Sequence, residues 1–87
     1  AMDIRVTGRV QGVSFRAWAR EEAERLGIAG WVRNHPDMSV VAHVEGEGGA
    51  VDAFVDRLHE GPPAAAVDKV VAVPCDRQDL EGFEIRH

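Results

Sequence analysis

One cysteine, Cys75, is all that the 87 residues hold. A disulfide framework is therefore excluded, and a reducing cytoplasm is the expected setting. No apolar run approaches the roughly 20 residues that a bilayer-spanning helix needs. No segment reads as a secretory h-region either, so neither a membrane nor an export role is expected. Repeats, low-complexity tracts and dividing linkers are missing too, which leaves a single domain over 1–87. A chain of this size buries roughly 60% of its unfolded surface, enough for one modest core. Ala1 before Met2 reads as a cloning scar and is left out of the fold argument.

What is present is an ordinary globular mixture, 45% hydrophobic and 29% charged, with a net charge of −5. That sign opposes non-specific attachment to nucleic-acid phosphates. The charge is unevenly spread, however. Residues 1–34 carry six arginines (Arg5, Arg9, Arg16, Arg20, Arg25, Arg33) against four acids, while 35–87 carry four cations against eleven acids. A locally basic first third in an acidic chain suits a small anionic ligand better than a polyanion. Arg20 and Arg25 are read as solvated surface.

The hydrophobic pattern predicts β-α-β-β-α-β with one further short strand. Ile4 and Val6 alternate with polar neighbours over Asp3–Val10, a half-buried strand. From Phe15 the period changes, and Phe15, Trp18, Ala19, Glu22, Ala23 and Leu26 share one helical face. Ser14 is the expected N-cap and Gly27 the expected C′ residue. Strands follow at Ala29–Arg33 and Val40–Glu45. A second amphipathic helix carries Val51, Phe54, Val55 and Leu58 and stops at Gly61-Pro62-Pro63. Val67–Val73 forms a fourth strand, ended or confined to a sheet edge by Pro74, and Phe83–Arg86 a last one. This order is the α+β ferredoxin-like plan, two helices on one face of a mainly antiparallel sheet of four to five strands. Such a fold hosts many functions.

The segment Gly8-Arg9-Val10-Gln11-Gly12-Val13-Ser14-Phe15-Arg16 joins the first strand to the first helix. Its glycines allow a ligand to approach the main chain, and successive N–H groups in such a turn can form an anion nest. The helix start adds unsatisfied N–H groups and the positive end of its dipole. Arg16 in the first helical turn opposes that dipole, at a cost of about 0.3–1 kcal/mol. The placement makes sense if a bound anion completes the site, since guanidinium grips two phosphate oxygens at once. By spacing alone, an arginine folded back onto Glu22 or Glu24 is an equal alternative. Asn34, before the Pro36–Asp37 turn, either hydrogen-bonds its own backbone or, if it lies beside the loop, holds a water.

Together, Val6-x-Gly8-x-Val10-Gln11-Gly12-Val13-x-Phe15-Arg16 and Gly30-Trp31-Val32-x-Asn34-x-x-Asp37 closely resemble the acylphosphatase family. The likeness runs on through Phe54, Leu58, Gly61-Pro62-Pro63, Ala65, Val67 and Val70 to Phe83-Glu84-Ile85-Arg86. The resemblance implies metal-independent hydrolysis of a carboxyl–phosphate anhydride to carboxylate and inorganic phosphate, with no cofactor. It implies Arg16 as the phosphate-binding arginine and Asn34 as the water-orienting asparagine. The backbone amides of Arg9, Val10, Gln11, Gly12, Val13 and Ser14 would form the phosphate cradle. Small-molecule acyl phosphate and phosphate are then the partners of an expected monomer. Met38 departs from the pattern, standing where the family usually has a turn glycine, so an altered or longer turn is expected.

The remaining candidates take structural readings. His35, His43, His59 and His87 show neither tight helical spacing nor a cysteine set, which argues against a metal site. His35 adjoins Asn34 but has no oriented partner in sequence. Trp18 and Trp31 are expected in the core, and Cys75 as a passive thiol. The alternative function is a non-catalytic phosphate-binding regulatory module of the same fold. An RNA-binding domain shares the strand order, but the strands here offer chiefly Trp31 and Phe83 for stacking.

Overall fold

Alternation of β-branched residues with polar ones sets the strands, and the computed structural model describes all of residues 1–87. In chain order the elements are β1 (Met2–Arg9), α1 (Phe15–Leu26), β2 (Ala29–Asn34), β3 (Val40–Glu45), α2 (Gly48–Glu60), β4 (Ala66–Pro74) and β5 (Phe83–Arg86). The sheet order is β4-β1-β3-β2-β5. Every pairing is antiparallel except β2 with β5. The β4 strand lies at an edge, as Pro74 requires.

Side chains on successive strand residues point to opposite faces. Ile4 and Val6 of β1, Val32 of β2, and Val40, Ala42 and Val44 of β3 are buried on one face. Phe15, Ala19 and Ala23 of α1 and Val51, Phe54 and Leu58 of α2 join them in one core cluster. The α1 helix packs over β2 and β5, α2 over β4, and the helices touch each other. The other face of the sheet has no helix. Trp31 lies there, stacked near His43 with ring centroids 6.3 Å apart, instead of in the core. Trp18 is half-buried against Phe15 and covered by the Arg57 guanidinium.

Glu22, the polar member of the α1 core stripe, is buried because Arg25 and Arg57 both reach it, at 2.7 Å each. Those hydrogen bonds, Arg25's first, hold its carboxyl below the usual range against the cost of burial. Gly27 adopts the left-handed C′ conformation with φ 70°, as expected. Ser14 does not cap. It stands at the N-cap position with φ 60°, and its hydroxyl makes no capping bond. A capping side chain works from extended backbone, and the left-handed turn removes that geometry.

Between β2 and β3 the chain turns in four residues, with Met38 N–H donating to the His35 carbonyl at 3.0 Å. His35 N–H donates to the Ser39 carbonyl at 2.9 Å and completes a short hairpin. The turn does demand a left-handed residue, and Met38 supplies it at φ 76°. Asp37 holds the turn closed: the Ser39 amide donates to it at 2.9 Å and Arg5 reaches it at 2.5 Å. Donation from Ser39, hydroxyl first and amide second, keeps the Asp37 carboxyl down at about 2.

Candidate active site

The β1–α1 loop begins at a β-bulge between Thr7 and Gly8. Gly8 has φ 121°, and a Cβ there would lie 2.3 Å from the Ala66 carbonyl oxygen. Only glycine lets β4 run this close while the chain swings toward the loop. Gly12, at the loop's apex, has φ 73° and open space beside it, which suits close approach of a ligand to the main chain. No backbone carbonyl accepts from the N–H groups of Gln11, Gly12, Val13 or Ser14. Just beyond them lies the start of α1, whose first N–H groups have no intrahelical acceptors.

Beside this loop is a cavity of about 660 Å³ lined by Val10, Gly12, Ser14, Phe15, Arg16, Ala17, Arg20, Asn34, Ile85 and His87. The loop, the first turns of α1 and the end of β2 thus bring Arg16 and Asn34 to one space. Arg9, an exposed residue ending β1, and Val13, packed against the core, contribute no lining. Gln11 is directed away from the cavity. Its amide nitrogen donates to the carbonyls of His35 and Ser39 at 2.8 and 2.9 Å, tying the loop to the β2–β3 hairpin just past Asn34.

Arg16 does not fold back onto Glu22 or Glu24. Its Nη1 donates to the Arg86 carbonyl at 3.2 Å and lies 3.3 Å from His87 Nδ1. The end of β5 therefore steadies the guanidinium, which makes no ion pair with any carboxylate. Arg20, read from sequence as solvated surface, is exposed but stands at the cavity wall one helical turn beyond Arg16. His87 is a second lining residue that the sequence did not reveal. The spacing Arg16–Arg20, i to i+4 on one helix face, was the available signal for the first. Nothing local signals the second.

The lining contains two guanidiniums and an imidazole but no carboxylate. In a chain of net charge −5 that local excess of positive charge, with main-chain donors beside it, favours a small oxyanion. His35 lines a different cavity, on the helix-free face, where its Nδ1 accepts from the Asp37 amide at 3.2 Å.

Fold and cavity together define a ferredoxin-like domain with an arginine-lined cavity at the first strand-to-helix turn. A family model described as Acylphosphatase matches residues 2–85. An acylphosphatase of Nocardioides sp. is 57% identical over 86 residues, covering 99% of this chain and 87% of that protein. One from Rhizobium meliloti is 56% identical over 83 residues, covering 94% and 87%. The crystal structure of acylphosphatase from Bacillus subtilis aligns with a TM-score of 0.95 at 33% identity, over 99% of this chain and 97% of that one. The chain belongs to the acylphosphatase family.

Proposed function

We propose that this chain hydrolyses acyl phosphates, with Arg16 and the loop amides from Arg9 to Ser14 binding the phosphoryl group and Asn34 orienting the attacking water. The observation that carries this reading is the single cavity shared by the glycine loop, Arg16 and Asn34. Carboxylate is a good leaving group, so no general acid is needed to release it. The reaction then requires a water held in line with the breaking P–O bond and compensation of charge on the equatorial phosphoryl oxygens. Main-chain N–H donors and a guanidinium supply the second, preorganised so that little reorients during reaction. A carboxamide supplies the first, since its oxygen accepts from water while its NH₂ donates to the phosphoryl group. No carboxylate side chain lines the cavity and the His87 Nδ1 faces the Arg16 guanidinium at 3.3 Å, so the water's proton is assigned to a phosphoryl oxygen of the substrate.

Gln11 acts at one remove. Its two bonds to the β2–β3 hairpin keep the loop that carries the amides in register with the strand that carries Asn34. A lone thiol fits a reducing cytoplasm, and the substrate is a small molecule.

The test is hydrolysis of benzoyl phosphate in EDTA by wild type, Arg16→Gln and Asn34→Ala. Turnover by wild type and its loss in both variants is expected. Equal rates in all three would remove both residues from the mechanism. Phosphate binding by calorimetry without turnover would favour a non-catalytic anion-binding module.

A further inference from the structure

We infer that Asp3, His43 and Cys75 form a binding site for a borderline divalent cation of the Zn²⁺ type, on the sheet face that carries no helix. The three residues are far apart in sequence, and strand pairing brings them together. Asp3 and His43 are direct partners across β1 and β3. Met2 pairs with Pro74, so Cys75 emerges beside Asp3, its N–H donating to the Ala1 carbonyl at 3.0 Å. One carboxylate oxygen, His43 Nδ1 and Cys75 Sγ all lie within 4.8 Å of one another. His43 Nδ1 is 2.8 Å from Asp3 Oδ1 and 3.5 Å from Cys75 Sγ. Bonds of about 2.0–2.3 Å to N, O and S at tetrahedral angles place ligand atoms roughly 3.3–3.6 Å apart. The N···S separation already fits. The Asp3 side chain, 56% exposed, is free to draw back from the ring by the fraction of an ångström required.

What makes this more than a chance cluster is the far side of the imidazole. His43 is 1% exposed, and its Nε2 donates to Glu45 Oε2 at 2.6 Å. Glu45 is itself buried and fixed, accepting from the Gln78 amide and, at 3.0 Å, from the Leu80 amide. A carboxylate on one ring nitrogen sets the tautomer that presents the other nitrogen to a metal, the usual outer-shell support of a histidine ligand. The mixed O, N, S set disfavours Mg²⁺ and Ca²⁺, which take oxygen ligands, and suits Zn²⁺ or Co²⁺. Binding displaces the Cys75 thiol proton to solvent, so affinity rises with pH.

The experiment titrates the intact protein, freed of metal, with Co²⁺ as spectroscopic probe and then with Zn²⁺ in competition. Wild type is expected to develop a thiolate-to-cobalt charge-transfer band that Zn²⁺ abolishes, and to melt higher with Zn²⁺ than without. Cys75→Ala and Asp3→Ala, checked for folding by circular dichroism, should bind at least tenfold more weakly, with no such band in Cys75→Ala. Glu45→Gln should weaken affinity about 10–100-fold. Absence of the thiolate band in wild type, or equal Co²⁺ affinity in Cys75→Ala, would overturn the proposal. Neither outcome bears on acyl phosphate hydrolysis, which is followed in EDTA.

Discussion

The two faces of one sheet are both partly buried, yet by opposite means. On the helix side, β3 presents Val40, Ala42 and Val44 to an apolar core. On the other side, the same strand presents His43 and Glu45, equally buried, each satisfied by carboxylate or main-chain partners. Arginines also occur on both. Arg5 and Arg33 line a cavity of about 520 Å³ on the helix-free face with Asp3 beside them, and Arg5 is engaged by Asp37. Arg16 and Arg20 line a cavity without any carboxylate, next to main-chain donors that no carbonyl uses. On the proposed reading, positive charge alone does not make an anion site, whereas charge beside N–H groups that no carbonyl uses does.

The sharpest way to break that contrast is to remove one guanidinium from each face. Arg16→Gln should lower kcat for acyl phosphate hydrolysis by roughly 10³-fold or more, the scale of a guanidinium acting on a transferring phosphoryl group. Arg33→Gln should leave it within twofold. Asn34→Ala should cost about 10²-fold, the scale of a misplaced reactant. Gln11→Ala, which cuts the tie between loop and hairpin, should cost about tenfold with the chain still folded, measured with the same substrate.

Two smaller effects test the polar face and the turn. The His43 hydrogen bond, then the Gln78 amide, hold the Glu45 carboxyl at about 2, against an ordinary 4.5. Folding lowers this pKa, so the stability it contributes is present above the ordinary value and lost as pH falls through about 2. Urea midpoints taken from pH 6 downward should fall in wild type, with a shallower fall in Glu45→Gln. Met38→Gly should raise unfolding stability by about 1 kcal/mol, because it relieves a left-handed backbone at a side chain that is 64% exposed. Its activity should be unchanged.

Much of the helix-side architecture was legible because it is written in local periodicity. Phe15, Ala19 and Ala23 at helical spacing, the alternation of Ile4 with Val6, and Pro74 at a strand end all act through near neighbours. The loop from Gly8 to Arg16 was legible for the same reason, since its glycines, its helix start and its misplaced cation are consecutive. Ser14 does stand at the N-cap, but the absence of its capping bond was not legible, because a left-handed backbone there has no composition signal. His43 and Glu45 could not be placed, because what permits their burial comes from Asp3, Gln78 and Leu80, segments that meet only once β1 and β3 pair. His87 reaches the cavity by the same kind of long-range assembly, whereas Arg20 follows Arg16 by one helical turn, a local signal that the sequence did carry.

The most direct measurement is a crystal structure with inorganic phosphate bound. The account predicts phosphate oxygens within hydrogen-bond distance of the loop amides and of the Arg16 guanidinium, with the Asn34 amide facing the same anion. Phosphate bound instead at Arg5 and Arg33 on the helix-free face, with the glycine loop unengaged, would contradict it.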